Sequence, residues 1–403
     1  MKRFYIATLL IILATTVQAQ STTFARGADI SWCTEMEADG KKFYNADGAE
    51  TDIFALMKEI GMNAIRLRVW VNPTLYGYGA WSDKADVVAK AKRAHEQGLD
   101  LMIDFHYSDF FADPSRQDIP QEWKDYDLEQ LKTAVADHTK DVLQALKDEG
   151  IEPKWIQVGN ETNGGMMWEI GGIDWNKSGN ARYSNYVALS NAGYDAVKEI
   201  LPDAFVILHY AGAYNAASYQ GWFFKEFKEA GGKFDMIGFS HYPDWNDWDS
   251  EKSDVASNKN AANSVKTLGT LFNVPVMIVE TGFSSYDPTK GSDVMKDLFS
   301  RTKDLPQCAG IFYWEPEVDG VWKPAYYETQ GWGAYSNGAF SADGKPTAIL
   351  DAFKDETTGI NSIITEADAP TKWYDLQGRE LLTPAKGLVI MKKGSLTRKV
   401  LIP

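Results

Sequence analysis

Between about Phe24 and Lys354 the sequence alternates eight times between a short apolar run and a longer amphipathic one. The short runs read as strands. They are Gly27 to Trp32, Asn63 to Trp70, Leu99 to His106, Trp155 to Glu161, Phe205 to Tyr210, Met236 to Tyr242, Val276 to Glu280 and Ala309 to Glu315. The intervening runs place apolar residues at helical spacing, as Ile53, Phe54, Leu56, Met57 and Ile60 do before Gly61. Helices are expected over 49–60, 84–97, 128–147, 181–200, 219–230, 257–271, 293–303 and 347–354. Strands joined through helices lie parallel, and eight such units close into a (β/α)8 TIM barrel of the α/β class. A doubly wound open sheet is the competing reading. It has fewer strands, and nucleotide binders of that kind carry a glycine-rich turn after strand one that is absent here.

In such a barrel the C-terminal strand ends form the working rim. Two of these ends carry a glutamate: Glu161, after Asn160 on strand four, and Glu280 on strand seven. Strands four and seven face each other across the mouth. Glycosidic bond cleavage needs one carboxylic acid to protonate the leaving oxygen and one carboxylate to attack or to activate water, and a separation of about 5–5.5 Å gives retention. Arg66 on strand two is expected to pair with Glu280 and keep it ionised, with Tyr242 donating to the same carboxylate. Glu161 must hold a proton, helped by the charge of Glu280. His106 and His241 stand at strand ends and are read as sugar-hydroxyl contacts, whereas Arg68 is read as a structural ion-pair partner.

Composition narrows the partner. Lys and Arg number 41 against 56 Asp and Glu, a formal net charge of -15. That argues against nucleic acid and against an anionic membrane surface, both of which would repel the chain. A neutral polymer meets no such objection. Fourteen tryptophans leave some to spare for stacking on sugar faces. The two cysteines, Cys33 and Cys308, are too few for a disulfide scaffold or a zinc site, and either a single bridge or two buried thiols fits the sequence.

The ends differ from the middle. Lys2 and Arg3, the apolar run Ile6 to Val17 and the small-x-small Val17-Gln18-Ala19 read as an export signal over 1–19, with the mature chain starting near Gln20. A periplasmic, cell-surface or secreted location is therefore expected. No later stretch is long and apolar enough to span a bilayer. The barrel is expected over 20–356. After it, 357–403 reads as a small all-β tail with strands at Trp373 to Arg379, Leu388 to Met391 and Lys399 to Ile402. Its YDLQGR, followed by KGLVI, resembles tails common on exported proteins of some Gram-negative bacteria, which implies a sorting or docking module. A short sheet packed on the barrel is the plainer alternative.

Seven motifs together resemble glycoside hydrolase family 53, the endo-β-1,4-galactanases: RGADISW at 26–32, RLRVWVNP at 66–73, DFHYSDFFADP at 104–114, QVGNE at 157–161, SHYP at 240–243, VETGF at 279–283 and YWEPE at 313–317. The resemblance implies Glu161 as acid/base and Glu280 as nucleophile. It also implies Arg66, His106, Asn160, Tyr242 and Trp314 around the cleaved sugar, with Asp109 and Trp332 at flanking subsites. The substrate implied is pectic galactan or type I arabinogalactan, with the chain acting as a monomer. A β-1,4-mannanase, an endoglucanase or a non-catalytic sugar-binding barrel would be the alternatives. Two departures stand out. Phe110 and Phe111 occupy a place where relatives carry a tryptophan, and the short segment Thr281 to Ser292 lacks the acidic calcium-binding loop of several bacterial relatives. Its Asp287, Pro288 and Lys290 form no oxygen cage, so neither a metal nor another cofactor is expected.

Overall fold

A computed structural model describes residues 23–77, 79–213, 221–245, 254–354, 371–374, 380–381, 387–393 and 396–402. The export signal expected over 1–19 lies outside them. The chain divides into two compact units, the first ending at Phe353 and the second beginning at Lys354.

The first unit is a closed barrel of eight strands in sequence order: β1 (Ala25–Asp29), β2 (Ala64–Val69), β3 (Asp100–Phe105), β4 (Trp155–Val158), β5 (Phe205–Ala211), β6 (Met236–His241), β7 (Val276–Thr281) and β8 (Cys308–Trp314). Every neighbouring pair is parallel, and β1 closes against β8 from Ala25↔Gly310 to Asp29↔Trp314. All eight C-terminal ends therefore meet at one rim. The covering helices are α1 (Cys33–Ala38), α2 (Ile53–Ile60), α3 (Lys84–Glu96), α4 (Leu128–Asp148), α5 (Ser184–Ile200), α6 (Gly221–Glu229), α7 (Asp254–Phe272) and α8 (Pro288–Thr302). Their ends follow local chemistry. Asp127 and Gln130 form a reciprocal capping box at the start of α4, and Asp52 accepts the Phe54 and Ala55 N–H groups at the start of α2. Asp287 does similar work for α8, accepting the Lys290 N–H.

Two expectations need correction. The run expected as a last helix over 347–354 forms tight 3₁₀ turns at Ala348–Phe353, enough to bury Ile349, Leu350 and Phe353. The aromatic segment after β8 contains an unforeseen helix, α9 (Ala325–Gln330). The cysteines are both free. Cys33 follows the C-terminal end of β1 and Cys308 opens β8, so they lie at opposite ends of the barrel and no bridge forms.

Alternation of side chains stacks the barrel interior in layers. Met102, Trp155, Ile207, Met277 and Phe312 pack the lower part. Gly27 makes room there, since a Cβ at that position would lie 2.2 Å from the Phe312 ring. Two residues further along their strands the inward positions turn polar: Asp29, Arg66, Asp104, Gln157 and His209 form a buried layer directly beneath the rim. The β6–β7 register slips between Phe239 and Ser240, so that Ser240 faces Glu280. Such irregularities re-aim side chains at rims.

The second unit contains an antiparallel sheet in the order β10 (Glu380–Leu381), β9 (Thr371–Tyr374), β11 (Gly387–Lys393) and β12 (Leu396–Ile402). Residues 375–379 of the expected strand and turn lie outside the described residues.

Candidate active site

Arg66 is the hub of the polar layer. Its Nη1 donates to Asp29 Oδ2 at 2.7 Å, and Nη2 donates to Asp104 Oδ2, Asn160 Oδ1 and Glu280 Oε1 at 2.8, 2.9 and 2.8 Å. Nε reaches Gln157 Oε1 at 3.3 Å. A guanidinium shut off from water among three carboxylates stays charged, its pKa pushed up by Asp104, Glu280 and Asp29 against the cost of burial. Tyr242 donates its hydroxyl to Glu280 Oε2 at 3.0 Å, and Trp245 stacks on the Tyr242 ring at 4.1 Å. Both oxygens of Glu280 are thus held by donors.

Glu161 lies past the end of β4 in a left-handed conformation, φ 46°. Gly159, at φ 86°, starts that turn. The strained backbone is tied from two sides. The Glu161 N–H donates to His209 Nδ1 at 3.1 Å, and Gln117 Nε2 donates to the Asn160 carbonyl at 2.9 Å. Burial and the charge on Arg66 hold His209 neutral. Because its Nδ1 accepts, its proton sits on Nε2 and goes to Ser240 Oγ at 2.9 Å. Ser240 in turn hydrogen-bonds the Glu161 carboxyl.

The two glutamates therefore have opposite surroundings. Burial, and then the negative charge of Glu280, raise the Glu161 carboxyl well above the usual range, with Ser240 and Arg66 opposing. Burial also raises Glu280, to about 7, but Arg66 and Tyr242 both favour its ionised form. Of the pair, Glu280 gives up its proton first and Glu161 keeps one.

Both glutamates line a cleft of about 470 Å³ at the rim, with His106, Asn160, Tyr242, Trp314 and Trp332. His106 is pinned, its Nδ1 accepting the Ala112 N–H at 2.9 Å and its Nε2 lying 2.9 Å from Asp104 Oδ2. Asn160 uses one amide hydrogen on the Ala112 carbonyl at 2.7 Å, which leaves the other for a ligand. Phe111, Tyr327, Trp314 and Trp332 make an aromatic wall. Of the two phenylalanines in the DFF run, Phe111 faces the cleft, while Phe110 stacks beneath on Trp70. Arg68 is structural, as expected: it pairs with Glu315 under this wall, its guanidinium 4.8–5.2 Å from the ring centres of Phe111, Trp32 and Trp70.

Comparison with known proteins places the barrel in a family. The family model described as "Glycosyl hydrolase family 53" matches residues 25–353, the whole barrel. The chain belongs to glycosyl hydrolase family 53. It is 35% identical over 337 residues to an arabinogalactan endo-beta-1,4-galactanase of Cellvibrio japonicus, covering 77% of this chain and 85% of that protein. An endo-beta-1,4-galactanase of Bacillus subtilis is 29% identical over 341 residues, covering 78% and 74% respectively. Among solved structures, the family 53 catalytic domain of Ignisphaera aggregans superposes with a TM-score of 0.68 at 28% identity, over 82% of this chain and 95% of that one. A fungal beta-1,4-galactanase superposes with a TM-score of 0.69 at 24% identity, over 83% and 99%, a likeness of fold.

Two of the residues expected to contact sugar, Asp109 from the resemblance and His241 from its strand-end position, are elsewhere. Asp109 is buried beside the cleft and accepts the backbone N–H groups of Asn72 at 2.9 Å and Gln121 at 2.7 Å, tying the loops after β2 and β3 together. His241 points out of the barrel, its Nε2 2.9 Å from Asn258 Oδ1 on α7, with burial lowering its pKa to about 4. Conversely, Asp29, Asp104, Gln157, His209 and Ser240 support the two glutamates without having been singled out. The available signal was an acidic, amide or imidazole side chain at an inward position of an otherwise apolar strand.

No helix among the described residues is long and apolar enough to cross a membrane. No group of three or more His, Cys, Asp or Glu among them could hold a metal ion.

Proposed function

We propose that this family 53 protein is a retaining endo-β-1,4-galactanase acting on pectic galactan or type I arabinogalactan. The observation that carries the reading is the unequal pair: Glu280 held by Arg66 and Tyr242, and Glu161 raised by burial beside it, both in one cleft. The galactanase names of the relatives favour galactan among neutral polymers.

In this reading the ionised Glu280 attacks the anomeric carbon while Glu161 gives its proton to the glycosidic oxygen, so that the C–O bond breaks and the shortened chain leaves. Glu161, now a carboxylate, takes a proton from water. The hydroxide attacks the glycosyl ester, freeing the sugar and restoring Glu280. Net retention follows from two inversions. His106, Asn160 and Trp314 would position the reacting sugar. The apolar run at 6–17 supports export, which would bring the enzyme to a wall polysaccharide.

Reducing ends released from β-1,4-galactan, β-1,4-mannan and cellulose test the substrate. Release from galactan alone is expected; none from galactan overturns the reading, and release from neither of the others separates it from a sugar-binding barrel only if galactan is cut. Glu280→Ala with azide should yield the inverted glycosyl azide, the signature of a lost nucleophile.

A further inference from the structure

A second groove of about 550 Å³ lies beside the catalytic cleft, between the loops that follow β3 and β4. The two are contiguous. Pro114 lines both, and Asn163 in the cleft is followed directly by Gly164 in the groove. The groove opens on the side where Glu161 stands, away from the aromatic wall after β8. Its most exposed large hydrophobic side chain is Trp175, at 61%.

A single exposed tryptophan is unremarkable on a protein surface. This one is held as a platform. It sits in a turn closed by the Lys177 N–H on the Asp174 carbonyl at 3.0 Å and by the Asp174 N–H on the Arg182 carbonyl at 2.9 Å. Arg182 places its guanidinium 5.1 Å from the Trp175 ring centre, and the edge of Trp222 approaches at 6.0 Å. One part of the ring is backed and the remainder faces solvent, so a flat ligand can stack with little loss of side-chain freedom. Trp168, whose Nε1 donates to the Gly164 carbonyl at 3.0 Å, forms another aromatic part of the lining. Of the charged groups in and beside the lining, Lys177 pairs with Asp174 at 3.3 Å and Arg182 with Glu226 at 3.6 Å, and Glu169 adds an exposed carboxylate at the edge. Such a surface suits a neutral ligand with apolar faces and hydroxyl edges better than an ion.

We propose that this groove is a distal saccharide-binding site which holds the leaving-group end of the β-1,4-galactan chain, with Trp175 as its stacking platform. The proposal rests on the galactanase reading and adds to it a site beyond the catalytic cleft. Glu161 protonates the oxygen of the departing chain, so the chain that departs lies on the Glu161 side, and a long one runs on into the groove. Short oligosaccharides end before reaching it.

The test compares wild type with Trp175→Ala and Trp175→Phe on long galactan, on a galactose trisaccharide and on a reducing-end-labelled hexasaccharide. For Trp175→Ala the ratio of kcat/KM on galactan to that on the trisaccharide should fall about tenfold, the worth of about 1.4 kcal/mol. Labelled fragments should become shorter, because sugars no longer gain by occupying the groove, and Trp175→Phe should recover part of both effects. An unchanged ratio with an unchanged fragment pattern overturns the proposal. If wild type cuts no galactan, the functional reading fails first. The groove is then read by retardation in native gels containing galactan: equal mobility of wild type and Trp175→Ala overturns it, and greater retardation of wild type supports it.

Discussion

Arg66 Nη2 donates to Glu280 Oε1 at 2.8 Å, and both side chains are almost wholly closed to solvent. A guanidinium fork reaches Asp29, Asp104 and Glu280 together, which one ammonium point charge cannot do. Arg66→Lys should therefore keep the charge and lose the geometry. With its hydrogen bond weakened, Glu280 protonates more readily and the acidic limb of the kcat/KM profile moves to higher pH. A fall in kcat of about 10²-fold is expected, as for loss of a preorganised donor. Measured pH–rate profiles of the two enzymes check both; an unmoved acidic limb would mean that Arg66 serves packing alone.

The partner glutamate is tuned through Ser240, which accepts a hydrogen bond from His209 Nε2–H and donates its hydroxyl to the Glu161 carboxyl. This bond favours the ionised carboxylate. Ser240→Ala removes it, so the Glu161 pKa rises further and the basic limb of the profile moves to higher pH while the acidic limb stays. A shift toward lower pH would contradict the direction assigned to the Ser240 bond.

How far the site was legible follows from strand parity. Glu161, Glu280, Arg66 and Tyr242 stood out because charged or hydroxyl groups at strand ends have few uses other than chemistry. Ser240 and His241 are neighbours on β6, and the wrong one was chosen: Met236, Gly238 and Ser240 share the inward face, which leaves His241 pointing at α7. Counting by two from Met236 would have shown this. The slip between Phe239 and Ser240 that brings Ser240 opposite Glu280 could not be counted in advance, because it depends on how β7 pairs. Of the aromatic wall, Trp314 and Trp332 were legible through the family resemblance and Phe111 and Tyr327 as composition only. Its shape comes from α9 and from contacts such as the Trp322 Nε1–H donated to Asp39 at 2.9 Å, which join segments far apart in sequence.

Asp109 supplies a contrast between binding and structure. Its carboxylate accepts two backbone N–H groups from different loops and does not line the cleft. Asp109→Ala would remove both of these part-buried hydrogen bonds, each worth about 0.5–1.5 kcal/mol. A loss of several degrees in Tm is expected, with kcat and KM of the folded enzyme close to wild type. Equilibrium urea unfolding and steady-state kinetics separate the two. A large rise in KM at unchanged stability would restore Asp109 to the substrate site.

Glu35 gives the protein a stability that depends on pH near neutrality. It is buried on α1, and burial raises its carboxyl to about 7, against the pull of Arg68 and the Ala325 N–H at the start of α9. That helix carries Tyr327 into the cleft wall. Between pH 4.5 and about 7 the unfolded chain releases this proton and the folded chain keeps it, so the folded state binds more protons and its stability falls as pH rises. Two buried histidines act the other way. His138 and His241 are lowered to about 4, so their neutral forms cost stability as pH falls from 6.5 towards 4. Glu35→Gln removes the carboxyl titration, keeps an acceptor for the Ala325 N–H and leaves both histidines in place. Stability of the variant relative to wild type should therefore grow from pH 4.5 to 7 and then level off, by up to about 3 kcal/mol at 1.36 kcal/mol per unit. Urea unfolding of both proteins at pH 5 and pH 8 measures this difference directly, and a difference that does not change with pH would show that Glu35 titrates alike in the folded and unfolded chain.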